Sequence, residues 1–162
     1  MQVDTDSKKR QLLLEWVCSL QPYHILFAKP GERVDRNQVL KRISVENFKC
    51  YSECIYILLI EQNTVKIPVY IGKSRHPLKR WDFHLRSWSR EKGPYQKWSA
   101  LLTDTEKKTK YPMFLMIAPD YSIQKPVIAG FPKTIGSIEY QLIGLTSDGY
   151  PNFLLNSEGN RR

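Results

Sequence analysis

Two short apolar runs, followed by an abrupt change of period, constrain the fold of this chain more than any other feature. Residues 55–60 (IYILLI) and 67–71 (IPVYI) are rich in β-branched and aromatic side chains, and a polar break over 61–64 separates them. Runs of this length and composition favour buried strands over helices. The pair therefore predicts a β-hairpin that ends at Gly72.

An amphipathic helix is predicted directly after this hairpin, from Pro77 to about Arg90. Proline suits the first turn of a helix. Four apolar residues follow it at helical spacing: Leu78, Trp81, Leu85 and Trp88. With about 100° of rotation per residue, Arg80 and His84 lie roughly 40° apart at the rim of this apolar stripe. At that rim, side chains are held rigidly and still reach a ligand.

The remaining segments alternate between regular and irregular patterns. Helical period is found over 7–20, 35–43, 95–102 and 134–147. A further strand is predicted over 114–117. Irregular structure is expected over 21–31, 103–110 and 120–133. The second of these is strongly polar and predicts an exposed loop, whereas the third is long enough to suggest contact with a substrate.

Basic residues exceed acidic ones, and the excess is concentrated after the hairpin. The chain has 25 Lys plus Arg against 16 Asp plus Glu, a formal net charge of +9. Between Lys73 and Lys110 there are 11 basic and 4 acidic residues, with three of the four Trp residues. Cations interleaved with aromatics are the expected footprint of a polyphosphate ligand. A solvated helix face above a core stripe of Trp would give the same composition.

The cysteines and the apolar runs favour a cytoplasmic protein. Cys18, Cys50 and Cys54 are odd in number and lack the spacing of metal ligands, so neither a disulfide framework nor a zinc site is indicated. Every apolar run is far shorter than the roughly 18 residues that a membrane span needs. The acidic, polar start of the chain is unlike a signal peptide.

The hairpin and the helix after it resemble the GIY-YIG nuclease superfamily. Tyr56 stands at the tyrosine of the first signature tripeptide, and residues 70–72 (YIG) copy the second. Lys73 follows directly, Arg80 stands where the superfamily has its catalytic arginine, and His84 matches a position that carries His or Tyr. Cys54 replaces the first glycine of the signature, a change expected to affect strand geometry and not activity.

A second stretch is similar to the type II restriction endonuclease branch of that superfamily. Residues 138–143 (IEYQLI) resemble the opening of its metal-binding helix, which places Glu139 as the metal ligand. A proline and an asparagine follow in that branch. Here Pro151 precedes both Asn152 and Asn156, of which the Asn-Ser pair at Asn156 is the preferred match.

The resemblance implies an α+β fold, a mixed α/β chain with a small three-stranded antiparallel sheet flanked by helices. The nuclease core would span residues 51–162, and residues 1–50 would form an N-terminal helical extension packed on it. That extension either contacts the DNA duplex or serves only as scaffold.

The resemblance also implies the roles of the site residues. The expected catalytic set is Tyr56, Tyr70, Lys73, Arg80, His84, Glu139 and Asn156. Glu139 would bind one Mg²⁺, for which Mn²⁺ can substitute, and Arg80 would contact the scissile phosphate. Tyr56 would be the general base, with Lys73 and Arg80 favouring its phenolate. Tyr70 and His84 would orient groups or relay protons, and Asn156 would hold one end of the site.

The expected function is a sequence-specific, Mg²⁺-dependent DNA endonuclease, either a restriction enzyme or a nuclease of a phage or mobile element. Its partner would be double-stranded DNA, cut by a homodimer where the target is palindromic. Contacts with DNA are expected from Lys73, Arg75, Lys79, Arg86, Lys107, Lys108 and Lys110. The alternatives are a structure-specific DNA repair nuclease and a non-catalytic DNA-binding protein on a degenerate nuclease fold.

Overall fold

An antiparallel sheet of four strands lies between two layers of helices. The computed structural model describes residues 5–47 and 52–156 of the chain. The helices within these ranges are α1 (Thr5–Ser19), α2 (Arg36–Asn47), α3 (Pro77–Ser89), α4 (Tyr95–Leu102) and α5 (Ile135–Gly149). The strands are β1 (His24–Ala28), β2 (Cys54–Gln62), β3 (Val65–Ser74) and β4 (Met113–Pro119), in the order β1-β4-β2-β3. The α+β class expected from the sequence is confirmed.

The predicted hairpin is present as β2 and β3. Asn63 and Thr64 form its two-residue turn, and both have positive φ angles, 53° and 65°. Positive φ at both central residues matches the right-handed twist of the strands they join. β3 is an edge strand, which explains how Pro68 fits into it at the register shift opposite Leu58 and Leu59.

Alternation along β2 divides the apolar residues between two cores. Tyr56 and Leu58 face α2, α3 and α4, where the buried aromatics include Trp81 and Trp98. Ile57 and its neighbours on the same side face α1 and α5. Because both sheet faces are covered, β2 is a continuous apolar run in the sequence and not an alternating one.

The three-stranded sheet is corrected to four strands, because the segment 21–31 was wrongly expected to be irregular. It contains β1, which pairs with β4 so that Leu26 lies opposite Phe114. β1 has only five residues and stands between Pro22 and Pro30, so its flanks resemble a loop. The region 1–50 is thus not wholly helical, since it adds a strand to the same sheet. The boundary at residue 50 lies outside the described residues, and the division of the chain there stays a prediction.

The helices predicted over 77–90 and 95–102 are present as α3 and α4, but two details of α3 differ. Leu78, assigned to the apolar stripe, is 42% exposed at the start of the helix, where it lines an open cavity with Leu40 of α2. His84, assigned to the rim, is only 3% exposed because α4 packs over it.

No disulfide joins Cys18 to Cys54, and Cys50 lies outside the described residues. Within the described ranges, no helix combines the length and the apolar character that crossing a membrane requires.

Candidate active site

Tyr56 and Gly72 face each other across the hairpin. The register of β2 and β3 pairs them directly, and the phenol of Tyr56 lies over Gly72. A Cβ atom at position 72 would overlap the hydroxyl and the ring of Tyr56. Only glycine therefore leaves room for the phenol at this point of the edge strand.

The hydroxyl of Tyr56 is hydrogen-bonded to the imidazole of His84, and that imidazole is hydrogen-bonded to a second phenol, that of Tyr95. The distance from Tyr56 Oη to His84 Nε2 is 3.1 Å, and the distance from His84 Nδ1 to Tyr95 Oη is 2.8 Å. Burial, with Arg80 nearby, lowers the pKa of His84 to about 4. The ring is therefore neutral at pH 7, and one of its nitrogens donates while the other accepts.

Aromatic rings hold this hydrogen-bonded chain in place. The ring of Tyr70 lies 6.3 Å from that of Tyr56 and 5.2 Å from that of His84, measured between centroids. Trp81 lies 4.9 Å from His84, and Trp98 lies 5.6 Å from it on the side of α4. Such packing restricts the rotamers of the polar groups between the rings.

Arg80 and Glu139 approach Tyr56 from two different elements. Arg80 is exposed in the first turn of α3, whereas Glu139, on α5, is 7% exposed. Both are near enough to act on the pKa of Tyr56, which Arg80 lowers and Glu139 raises. The structure thus brings together a phenol, a guanidinium and a carboxylate that lie far apart in the sequence. Arg80 also lines an open cavity of about 400 Å³ with Ser74, His76, Lys79 and Phe83.

The expected stabilisation of a Tyr56 phenolate is corrected. Burial raises the pKa of Tyr56 well above its ordinary value, Tyr70 adds to this, and the opposing effect of Arg80 is smaller. The phenol is therefore protonated at neutral pH in the absence of a bound cation. Lys73 does not act on Tyr56, and its ammonium group extends towards Gly136 in the first turn of α5.

Glu139 supplies the one carboxylate at this site among the catalytic residues expected from the sequence. The described residues contain no cluster of three or more His, Cys, Asp or Glu side chains suited to a metal. A zinc-type ligand set is thus not present there. A single carboxylate such as Glu139 does fit Mg²⁺, which commonly keeps several waters and takes the rest of its ligands from a phosphate.

Asn156, and not Asn152, lies against the signature strand. Its side-chain amide accepts a hydrogen bond from the backbone N–H of Ile71 at 2.9 Å and donates one to the carbonyl of Ile71 at 2.7 Å. Leu155 adds a backbone bond to Val69 at 2.7 Å. The end of the described chain therefore covers the outer edge of β3, while Asn152 is exposed.

The cations expected to contact DNA fall into two groups. Lys73, Arg75 and Lys79 lie on or beside the segment that carries Arg80 and its cavity, and Lys73 and Lys79 are exposed there. The other four have partners elsewhere: Arg86 with Asp82, Lys107 with Glu91, Lys108 with Glu106, and Lys110 with the carbonyl of Ala100. Glu91 follows α3 and is eleven residues from Arg80, roughly 16 Å along a helix. Of the seven, Lys79 lines the cavity with Arg80, and the contact of the other six with DNA stays a prediction.

The loop over 103–110 is more ordered than its polarity suggests. Thr103 and Thr109 form a bridge and are buried, and the carboxylate of Asp104 accepts hydrogen bonds from the N–H groups of Glu106 and Lys108. The segment 120–133 begins with a short 3₁₀ turn and is held to α5 by Gln141. Its contact with a substrate stays a prediction.

Sequence reasoning missed Tyr95. The residue was placed in the correct helix, but its bond to His84 depends on how α4 packs on α3. The one available signal was its spacing from Trp98, three residues on, which predicts only that the two share a helix face.

Comparisons of the chain with models of protein families, with curated proteins and with solved structures gave no match. The function is therefore inferred from the chemistry of the site.

Proposed function

We propose that this protein is a Mg²⁺-dependent DNA endonuclease of the GIY-YIG type. The observation that carries the proposal is the buried phenol of Tyr56, hydrogen-bonded to His84 at 3.1 Å, with Arg80 of α3 and Glu139 of α5 near enough to act on its pKa. Hydrolysis of a phosphodiester needs an activated water, charge neutralisation at phosphorus and stabilisation of the leaving 3′ oxygen. Three side chains of suitable chemistry meet here.

Arg80 and Glu139 have different electrostatic roles in this proposal, one towards the phosphate and the other towards the cation. The guanidinium of Arg80 lines the cavity and would donate to the non-bridging oxygens of the scissile phosphate. Glu139 would hold the cation, since it is the carboxylate among the described groups that act on the pKa of Tyr56. When bound there, Mg²⁺ would supply the charge neutralisation that the phosphate and the leaving oxygen require.

Tyr56 and His84 together accept the proton that the attacking water loses. Because burial keeps the phenol protonated, Tyr56 accepts a proton from water only as it passes its own to His84 Nε2, 3.1 Å away. The neutral imidazole of His84 is able to accept it. No free phenolate accumulates in this scheme, so the raised pKa of Tyr56 does not prevent it from acting as the base.

Double-stranded DNA is the substrate that fits the charge of the chain. The net charge is +9, Lys79 lies next to Arg80, and Lys73 and Arg75 are exposed on the segment that precedes α3. Phosphate contacts from such residues give affinity and register, while base contacts give specificity. We propose sequence-specific cutting, as in a restriction enzyme or a nuclease of a mobile element, with a homodimer acting on a palindromic target.

Digestion of plasmid and genomic DNA tests the proposal. Purified protein with Mg²⁺ should give discrete fragments whose ends map to one sequence, and EDTA should prevent their formation. A smear would count against sequence specificity. Binding of the DNA without hydrolysis, in Mg²⁺ and in Mn²⁺, would contradict the nuclease proposal and favour a non-catalytic DNA-binding protein.

A further inference from the structure

We infer that Tyr95 is a positioning residue that carries the proton of Tyr56 onward, through His84, towards solvent. This inference rests on the proposed nuclease function and extends it to a residue outside the signature motifs. The chain of contacts is Tyr56 Oη to His84 Nε2 at 3.1 Å and His84 Nδ1 to Tyr95 Oη at 2.8 Å. Both distances suit hydrogen bonds between neutral groups.

Burial changes along this chain in the direction that a relay needs. Tyr56 and His84 are 2% and 3% exposed, whereas Tyr95 is half-buried at the first residue of α4. Ser87, also half-buried, lies near enough to lower the pKa of the Tyr95 phenol. The path therefore leads from the buried end of the site to a group within reach of water.

The proton transfers balance without any charged intermediate on the protein. As the attacking water loses a proton to Tyr56 Oη, the original Tyr56 proton moves to His84 Nε2. The proton on His84 Nδ1 moves to Tyr95 Oη, and the original Tyr95 proton leaves to a solvent water. Each of the three side chains loses one proton and gains one, and the net product is hydroxide at the phosphate and one proton in solvent.

This direction of transfer fixes the resting tautomer of His84. Before the reaction, Nε2 must accept from the hydroxyl of Tyr56, so Nδ1 must carry the hydrogen and donate it to Tyr95. Without an acceptor at Tyr95, the opposite tautomer would also be satisfied, with Nε2 donating to Tyr56. Tyr95 supplies the acceptor that this tautomer needs, the tautomer in which Tyr56 is able to release its proton.

The surroundings make stepwise ionisation of either phenol unfavourable. Burial, assisted by Tyr70, raises the pKa of Tyr95 to about 12, and it raises that of Tyr56 further. If the protons move through Tyr56, His84 and Tyr95 in one concerted step, neither phenolate is formed.

A second hydrogen bond between the same two helices serves as the control for a purely structural role of the bond between Tyr95 and His84. Trp88 Nε1 donates to Ser99 Oγ at 3.0 Å, and this bond also joins α3 to α4. Tyr95→Phe and Ser99→Ala each remove one such bond. The ring of Phe at position 95 keeps the packing on Trp98, whose centroid is 5.0 Å away.

The test is single-turnover cleavage, at saturating protein, of a plasmid that the wild-type protein cuts in Mg²⁺. Tyr95→Phe should lower the rate of the chemical step on the order of 10- to 100-fold, less than the loss of a group that touches the reacting water. Affinity for the plasmid should be unchanged, and Ser99→Ala should keep the wild-type rate. The cleavage rate should also be measured at several fractions of D₂O in H₂O. Its dependence on that fraction should indicate that several protons move in the chemical step of wild type and fewer in that of Tyr95→Phe.

A spectroscopic readout separates the relay from activity. The ¹⁵N chemical shifts of the His84 ring should indicate hydrogen on Nδ1 in wild type and a mixture of tautomers in Tyr95→Phe. Wild-type cutting with an equal rate for Tyr95→Phe, or hydrogen on Nε2 in the wild-type protein, would overturn the relay alone. A wild-type protein that cuts no DNA would overturn the nuclease proposal and the relay with it.

Discussion

The phenol of Tyr56 covers Gly72 so closely that a methyl group on Gly72 would overlap its hydroxyl and ring. The two residues are direct partners in the antiparallel pairing of β2 and β3. Gly72 thus has a steric role, because it leaves the space that the phenol occupies.

Gly72→Ala should displace the Tyr56 phenol and remove most of the cleavage activity. Crowding in a packed region typically costs about 1–3 kcal/mol of unfolding free energy. Gly144→Ala is the control, because a Cβ there meets no atom within 4 Å on an exposed face of α5. That substitution should stabilise the helix by about 1 kcal/mol. Urea unfolding and plasmid cleavage measure both effects, and normal activity of Gly72→Ala would contradict the steric account.

Asn156→Ala should destabilise the edge of the sheet, whereas Asn152→Ala should not. The first substitution removes both hydrogen bonds to the backbone of Ile71, and a loss of about 1–3 kcal/mol follows if those groups become unpaired. Asn152 is exposed, and its truncation should change the stability by less than about 0.5 kcal/mol. Thermal or urea unfolding compares them. Equal stabilities of the two variants would show that the Asn156 bonds contribute nothing.

Stability should fall as the pH drops from about 6.5 to about 4, in part because of His84. Burial and Arg80 lower its folded pKa to about 4, so the unfolded chain, with an ordinary pKa near 6.5, binds more protons in this range. Through His84 alone, about 3 kcal/mol should be lost by pH 4. His84→Gln should flatten this dependence. An unchanged pH profile of unfolding for His84→Gln would contradict the assignment.

Lys79→Gln should weaken DNA binding and reduce its salt dependence. Lys79 precedes Arg80 and lines the same cavity, so the lost contact should lower the slope of log K against log salt by about one. Lys8→Gln is the control, since Lys8 is exposed on α1, which packs against α5 on the opposite side of the sheet. Binding titrations at several salt concentrations test this. Equal slopes for Lys79→Gln and wild type would exclude Lys79 from the DNA contact.

The spacing of apolar residues along the sequence was enough to predict the positions of β2, β3 and most helices. Their apolar runs are long and their patterns are clear. β1 was missed because five residues between prolines carry little pattern, and its strand conformation depends on pairing with β4. Leu78 was misplaced because helical spacing shows which residues share a face and not how far a neighbouring layer extends.

The candidate site was predictable in its residue types but not in its electrostatics. Motif positions located Tyr56, Arg80 and Glu139, and the structure brings them near one another. The direction of the pKa shift of Tyr56 was wrong, because it depends on burial under α3 and α4. The partner of His84 on α4 depends on the same packing, which no local pattern encodes.

The central claim is that a phenol, a guanidinium and a carboxylate act on one phosphate. Its most direct measurement is the rate of plasmid cleavage in Mg²⁺ by Tyr56→Phe, Arg80→Lys and Glu139→Gln, beside Asp148→Asn as a carboxylate control at the far end of α5. Each of the three should lose about 100-fold or more of the wild-type rate while still binding DNA, and Asp148→Asn should cut normally. Wild-type rates for the three variants would contradict the account.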